Sequence, residues 1–328
     1  MEKVARLSQE ERSALFTETA ARKGMTPAIA EKDFWVCWTL DKLFAHSKLS
    51  RILMFKGGTS LSKVFGLIER FSEDIDLILD WNLVIGEDPE ADRSKTKQEK
   101  LNKEINERGQ AYIDGELLET ISAVLAPVCT CEIDTYDANT LNVRYPAAFN
   151  DDYLRPEVRL EIGSLASWLP FGEYTIKPYA AEEFPDLFDR DECPVRAIKA
   201  ERTFWEKTTI LHHEAYRPKG NTQPPRISRH YYDLAQMAES TIKDTALAHL
   251  DLLHDVVEFK KRFYPRGWAR YDLAVPGTLK LVPEMHVMAT VRADYRAMEN
   301  MIYRNYPDIE EVMVVLQALE DEMNRLTL

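Results

Sequence analysis

The chain lacks most of what would tie it to a membrane, a disulfide framework or a polyanion coat. No apolar run approaches the roughly 18 residues that a membrane helix needs. The first residues, MEKVARLSQEERSALF, mix charges and lack the apolar centre of a signal peptide, so a cytoplasmic protein without a membrane partner is expected. Cysteines number four (Cys37, Cys129, Cys131 and Cys193) and form no CxxC pair. That spacing points to reduced thiols, with Cys129 and Cys131 on one side of a strand. Positive charge is short as well: the formal net charge is -13, which excludes a protein that coats nucleic acid non-specifically but leaves room for a local basic groove. Internal repeats and low-complexity tracts are absent. What remains is 328 residues, 45% of them apolar, enough for two domains or one domain with helical additions.

The chain reads in two parts. Residues 8–23 suggest an amphipathic helix that Gly24 stops. In MTPAIAEKDFWVCWTLDKLF, Thr26 suits an N-cap and Pro27 the first helical position, and Phe34, Trp35 and Trp38 make this a core helix. ILMF at 52–55 reads as a buried strand, broken by Gly57 and Gly58. Thr59 is the expected cap of a helix through SLSKVFGLIER, and Asp74–Leu79 is a second strand. The charged stretch 86–110 reads as a solvated helix or mobile insertion, and 116–126 as a helix. Three strands follow (CTCEID, LNVRYP, EVRLEIG), then a proline- and aromatic-rich connector from Leu169 to Cys193. From Arg196 to Tyr216 the pattern predicts one long helix, with further helices to the C-terminus. The expected domains are 1–185, mixed α and β, and 186–328, mostly α.

The densest chemistry lies in FKGGTSLSKVFGLIERFSEDIDLILD, residues 55–80. On a strand, Asp74 and Asp76 project to one side, with Ile75 and Leu77 on the other. Two adjacent carboxylates repel unless a cation sits between them. Mg²⁺ suits them, since it takes carboxylate oxygens, phosphates and water, and a pair of such ions can activate a hydroxyl and stabilise a leaving oxygen. Gly57-Gly58 lets backbone approach a ligand closely. Thr59 and Ser60 open a helix whose first N–H groups favour anions, and Ser60 or Lys63 can add contacts to triphosphate oxygens. The segment is not a P-loop, because KGGTSLSK lacks the GxxxxGK[ST] spacing. The reading is a joint site for an NTP and its metals. Solvated acids at a strand start are the plain alternative.

GGTSLSK followed by RFSEDIDL resembles the first motif of the AbiEii/AbiGii toxin family, within the DNA polymerase β-like nucleotidyltransferase superfamily. EKDFWVCWTL (31–40), ERTFWEKTTILH (201–212) and SRHYYDLAQM (228–237) resemble further family segments, in family order. The resemblance implies an α+β fold: a polymerase β-like core of short mixed sheet flanked by helices, with an α-helical C-terminal region completing the active site. It implies NMP transfer from an NTP by a toxin of a toxin–antitoxin or phage-defence system. An antitoxin partner is then expected, and an RNA acceptor, foremost the tRNA 3′ end that the related MenT-type toxins extend to block translation. By position it makes Asp74 and Asp76 the metal-binding carboxylates. It makes Lys207 a triphosphate contact, Asp233 the residue that completes the site, and Ser72 a small hydroxyl beside the first acid. The superfamily usually adds a third carboxylate from a neighbouring strand. In EVRLEIG, Glu157, Arg159 and Glu161 share one face, and Glu161 is the candidate.

Without the resemblance, Lys207 reads as a helix-surface lysine, and Arg229 with Asp233 as an ordinary i, i+4 pair. His212 and His213 diverge by about 100° on a helix, which disfavours a shared metal and suggests a surface or nucleic-acid contact. Residues 196–230 hold eight Lys/Arg against three acids, and 260–270 (KKRFYPRGWAR) carry five cations among aromatics. Such clusters suit phosphate backbones and unpaired bases. Two other readings stay open. One is a protein or small-molecule acceptor, and the other is a fold that binds nucleotides or a partner without turnover.

Overall fold

A computed structural model describes residues 1–151, 154–303 and 305–326. The chain forms two compact units: Met1–Val64 with Phe71–Ile198, and Phe65–Arg70 with Lys199–Leu328.

The first unit is built on seven strands: β1 (Leu53–Lys56), β2 (Asp74–Leu79), β3 (Thr130–Ile133), β4 (Thr140–Arg144), β5 (Glu157–Gly163), β6 (Phe171–Ile176) and β7 (Cys193–Ile198). Their order is β3-β4-β5-β2-β1-β7-β6. The sheet is mixed: β2 runs parallel to β5 and β1 parallel to β7, and the other neighbours are antiparallel. Alternation divides its faces. Ile75, Leu77 and Leu79 of β2 and Val158, Leu160 and Ile162 of β5 belong to the main core together with the buried Phe34, Trp35 and Trp38. Those aromatics come from the helix Pro27–Ala45, which starts as its sequence predicts: Thr26 Oγ1 accepts from the Ile29 N–H, and Pro27 follows at the first helical position. Asp74 and Asp76 occupy the opposite face. There a smaller cluster of Met54, Ile78, Ala166 and Ile198 covers the far end of the strand.

The second unit is helical. Its main elements are Ala200–Ala215, Ser228–Ala238, Leu250–Phe263, Met288–Arg296 and Ile309–Met323. Asp294 fixes the start of the second of these by accepting from the Arg226 and Ser228 N–H groups at 2.7 and 2.8 Å. The α+β class is the observed one, with a mixed sheet and a helical C-terminal region.

Several local expectations are corrected. The helix after the glycines is Gly57–Lys63, starting two residues before the expected Thr59 cap and ending well short of Arg70. Gly66 takes φ +61°, and the backbone of Glu69 and Arg70 instead pairs with Tyr303 and Ile302. The helix predicted from Arg196 begins at Ala200. Cys193–Ile198 is strand, because alternate residues bury and Ala197 pairs with Phe55 of β1. The expected connector from Leu169 to Cys193 holds β6 and a short helix, Tyr179–Glu183. The charged insertion contains an 18-residue helix, Lys95–Tyr112, anchored by buried Leu101 and Ile105 against Val84 and Ile85. All four cysteines are free thiols, with Cys131 in β3 and Cys129 just ahead of it. Among the described residues no helix is long and apolar enough to cross a membrane.

Candidate active site

The glycine turn and the aspartate strand meet. Lys56, the last residue of β1, pairs with Asp76 in antiparallel register, so the chain leaving β1 passes directly beside that carboxylate. Gly57 follows with φ +82°, in the left-handed region where side chains are disfavoured. A Cβ on Gly57 would lie 1.9 Å from Asp76 Oδ2. Only glycine admits this approach.

Asp74 is the more buried acid. Its Oδ1 is shielded from solvent and has no hydrogen-bond partner among the described residues. Burial pushes its carboxyl above the usual range, and the charges of Glu73 and Asp76 push it further. Arg159 offsets part of this from 3.7 Å. The same guanidinium reaches Asp134 at 3.1 Å and Glu161 at 3.7 Å. Asp134 is held well down, to about 2, chiefly by the Asn142 amide and by the Tyr136 and Asp137 N–H groups. In the parallel pairing of β2 and β5, Asp74 sits opposite Arg159 and Asp76 opposite Glu161, so Glu161 does share the acidic face. Among the described residues, however, no three His, Cys, Asp or Glu side chains gather into a metal cage.

The remaining residues near the glycines are largely engaged. Thr59 Oγ1 donates towards the carbonyls of Ser72 (3.2 Å) and Asp74, tying the helix to the start of β2. Ser60 Oγ donates back to the Gly57 carbonyl at 2.9 Å. Ser72 enters through its backbone. Lys63 is buried in an ion pair with Asp33 at 2.8 Å, and its Nζ lies 3.8 Å over the Tyr179 ring. Gly58 continues the helix that Gly57 opens.

Sequence reasoning overlooked how EKD at 31–33 is used. Three consecutive charged side chains are all buried, each on a different partner. Glu31 accepts from the Ala148 and Phe149 N–H groups at 2.7 and 3.1 Å. Lys32 pairs with Glu73 at 2.7 Å, and Asp33 with Lys63. Three adjacent charges inside an aromatic-rich core helix were the available signal, since such residues are buried only when paired.

In the helical unit, Lys207 and Asp233 also meet. Lys207 Nζ donates to Asp233 Oδ2 at 2.6 Å. Arg70 donates to both oxygens of the same carboxylate, at 2.6 and 2.8 Å. Burial alone would raise the Asp233 pKa; Arg70, then Lys207, overcome it and hold the carboxyl far below its usual range. Burial lowers the Lys207 pKa, and that of His230, 3.5 Å away, more strongly. Asp233 thus ties Lys207 and Arg70 together in a dry setting. Arg70 was not foreseen as a site residue, although it opens the RFSEDIDL motif.

The two histidines are buried, which corrects the surface or nucleic-acid expectation. His212 accepts from the Lys280 N–H at 3.1 Å and donates to the Arg270 carbonyl at 3.0 Å. His213 pairs with Glu214 at 3.0 Å. The basic clusters are partly internal too: Arg202 pairs with Glu206, Arg217 with Glu214, and Lys260 donates to the Glu206 carbonyl.

A mixed sheet thus sets a glycine turn against a strand-borne pair of aspartates, and the chain continues into a helical unit. The family model described as nucleotidyl transferase AbiEii toxin, Type IV TA system, matches residues 38–318. The chain belongs to that family of toxin-type nucleotidyltransferases. Among solved structures it is similar to MenT4, a nucleotidyltransferase toxin from Mycobacterium tuberculosis H37Rv, at 19% identity and TM-score 0.44, covering 97% of each chain. It is also similar to JHP933 from Helicobacter pylori (15%, TM-score 0.43, covering 90% of this chain and 92% of that one). A third is a putative nucleotidyltransferase from H. pylori (16%, TM-score 0.45, covering 90% and 95%). No curated protein matches the chain.

Proposed function

We propose that the chain is a Mg²⁺-dependent enzyme that transfers NMP from an NTP to an RNA acceptor, foremost the tRNA 3′ end. In this reading it blocks translation, in the cytoplasm, opposite a cognate antitoxin and in defence against phage. The observation that carries the reading is the contact of the Gly57 turn with Asp76, beside the buried Asp74 Oδ1, which accepts no hydrogen bond among the described residues.

These two acids suit a hard divalent cation. They stand two residues apart on one face of β2, the Asp76 charge acts on Asp74, and burial raises the free energy of the bare carboxylate on Asp74. Asp74 and Asp76 would hold it, with Glu161 the candidate third carboxylate on the same face. Bound there, Mg²⁺ supplies charge neutralisation at the phosphates and lowers the pKa of an attacking hydroxyl.

The protein's own residues do the rest. The bare backbone at Gly57 admits the Asp76 carboxylate and so sets the turn, the phosphate site of this reading, against the acids. Arg159 stands 3.7 Å from Asp74 and 3.7 Å from Glu161, a cation between the two acids. In the helical unit, Lys207 is the triphosphate contact of this reading, and Asp233 fixes its ammonium together with the Arg70 guanidinium. Thr59 and Ser60 shape the turn rather than bind, and Lys63 serves as the counter-charge to Asp33. The contribution to rate is mainly positioning and preorganised charge.

Incubation with each labelled NTP, total RNA and lysate protein tests the reading. Label at RNA 3′ ends, with release of pyrophosphate, is expected. Label confined to protein or small molecules would reject the RNA acceptor. NTP binding without any transfer would reject the enzyme.

A further inference from the structure

The acidic face does not end at Glu161. Register extends it across four strands: Asp74 of β2 pairs with Arg159 of β5, Arg159 with Asn142 of β4, and Asn142 with Glu132 of β3. Paired residues in a sheet share a face. This row therefore leads from the catalytic acids outwards, away from the glycine turn on β1. It ends in a cavity of about 580 Å³, inside the roughly 300–1,000 Å³ of small-ligand sites.

The lining of this cavity mixes polar and apolar groups. Its inner wall is Asn142 and Asp134, and Asp134 is one guanidinium away from Asp74 through Arg159. Arg144 and Arg155 stand at its rim, exposed and balanced by Glu132 and Glu157. Tyr136 sits on the tight turn between β3 and β4 and is 98% exposed. A fully solvated phenol ring on a turn fixed by Asp134 has no packing role in the fold.

We propose that this cavity receives the unpaired terminal nucleotide of the acceptor RNA. Tyr136 stacks on its base, Asn142 contacts the base edge, and Arg144 and Arg155 hold the preceding phosphates. The inference rests on the nucleotidyltransferase-to-RNA reading above. Two arguments favour the acceptor over the NTP here. In-line displacement sets the attacking hydroxyl and the leaving pyrophosphate on opposite sides of the reacting phosphorus. Sheet order sets the glycine turn on one side of β2 and the cavity on the other. An exposed aromatic ring beside arginines is, moreover, the kind of platform on which an unpaired base stacks.

The test is steady-state transfer from a labelled NTP to an RNA hairpin with a short single-stranded 3′ tail, using the full chain. Tyr136→Ala should raise the KM for the hairpin about tenfold or more, a typical loss for one stacked base. The KM for NTP should stay within about twofold, and Tyr136→Phe should restore the RNA KM. Because Tyr136 is solvated, neither variant should unfold the chain. An unchanged RNA KM in Tyr136→Ala, or an equal rise in Tyr136→Phe, would overturn the pocket while wild-type labelling of the hairpin keeps the RNA reading. If wild-type enzyme labels protein and no RNA at all, both the RNA reading and the pocket fall.

Discussion

Gly57 and Asp76 are in van der Waals contact across the β1–β2 pair, and the contact exists only because Gly57 has no side chain. The backbone at this point is also left-handed. Gly57→Ala is thus doubly penalised. It should cost about 1–3 kcal/mol of stability through the strained φ, and it should displace the Asp76 carboxylate. Thermal unfolding together with transfer assays should show a folded but nearly inactive protein. Wild-type activity in Gly57→Ala would mean that the contact is irrelevant to catalysis.

Arg159 makes a prediction about pH. Burial raises the Asp74 pKa, and Arg159 opposes the rise. Removing this cation leaves Asp74 harder to ionise, so a higher pH is needed to reach the charged form. Arg159→Gln should shift the acid limb of the pH–rate profile towards higher pH. A shift the other way would show that Arg159 does not act on Asp74.

The buried pair Lys63–Asp33 predicts strong coupling. Lys63→Met leaves the Asp33 carboxylate uncompensated in the core, at a cost of about 3–5 kcal/mol. Lys63→Met with Asp33→Asn should recover much of that loss in urea unfolding. Additive losses would indicate that the two groups do not depend on each other.

His212 predicts acid sensitivity. Burial holds its pKa down to about 4, against about 6.5 in an unfolded chain. Above about pH 6.5 the ring is neutral in both states. Between about 6.5 and 4 the unfolded chain takes up a proton that the folded one refuses. Stability should therefore fall with falling pH across that window, by at most about 1.4 kcal/mol per unit from this residue. His212→Asn should lower stability at neutral pH and flatten the slope. An unchanged slope would assign the acid sensitivity elsewhere.

These cases also mark what the sequence could convey. Asp74–Leu79 and Glu157–Gly163 are strands with the expected bounds, because charged and aliphatic residues alternate over Asp74–Leu77 and Glu157–Ile162 and leave one consistent pleat. The Thr26-Pro27 start was equally legible, since capping is local. The helix expected through GLIER failed for a non-local reason: the Glu69 and Arg70 backbone pairs with residues over two hundred positions away, and the Arg70 side chain goes to Asp233. The strand at Cys193–Ile198 was hidden because its helical neighbour continues a plausible 3.6-residue period, and only pairing with β6 and β1 breaks it. Of the candidate site, the grouping of Gly57 with Asp76 and of Lys207 with Asp233 was readable from motifs. The engagement of Thr59, Ser60 and Lys63 was not, because a hydroxyl or ammonium does not announce its partner.

Release of pyrophosphate from labelled NTP in the presence of total RNA, by wild type and by Asp74→Asn/Asp76→Asn, tests the central claim most directly. The account predicts turnover by the wild type and its loss in a double variant that unfolds at a comparable temperature. A double variant that releases pyrophosphate at the wild-type rate would contradict it.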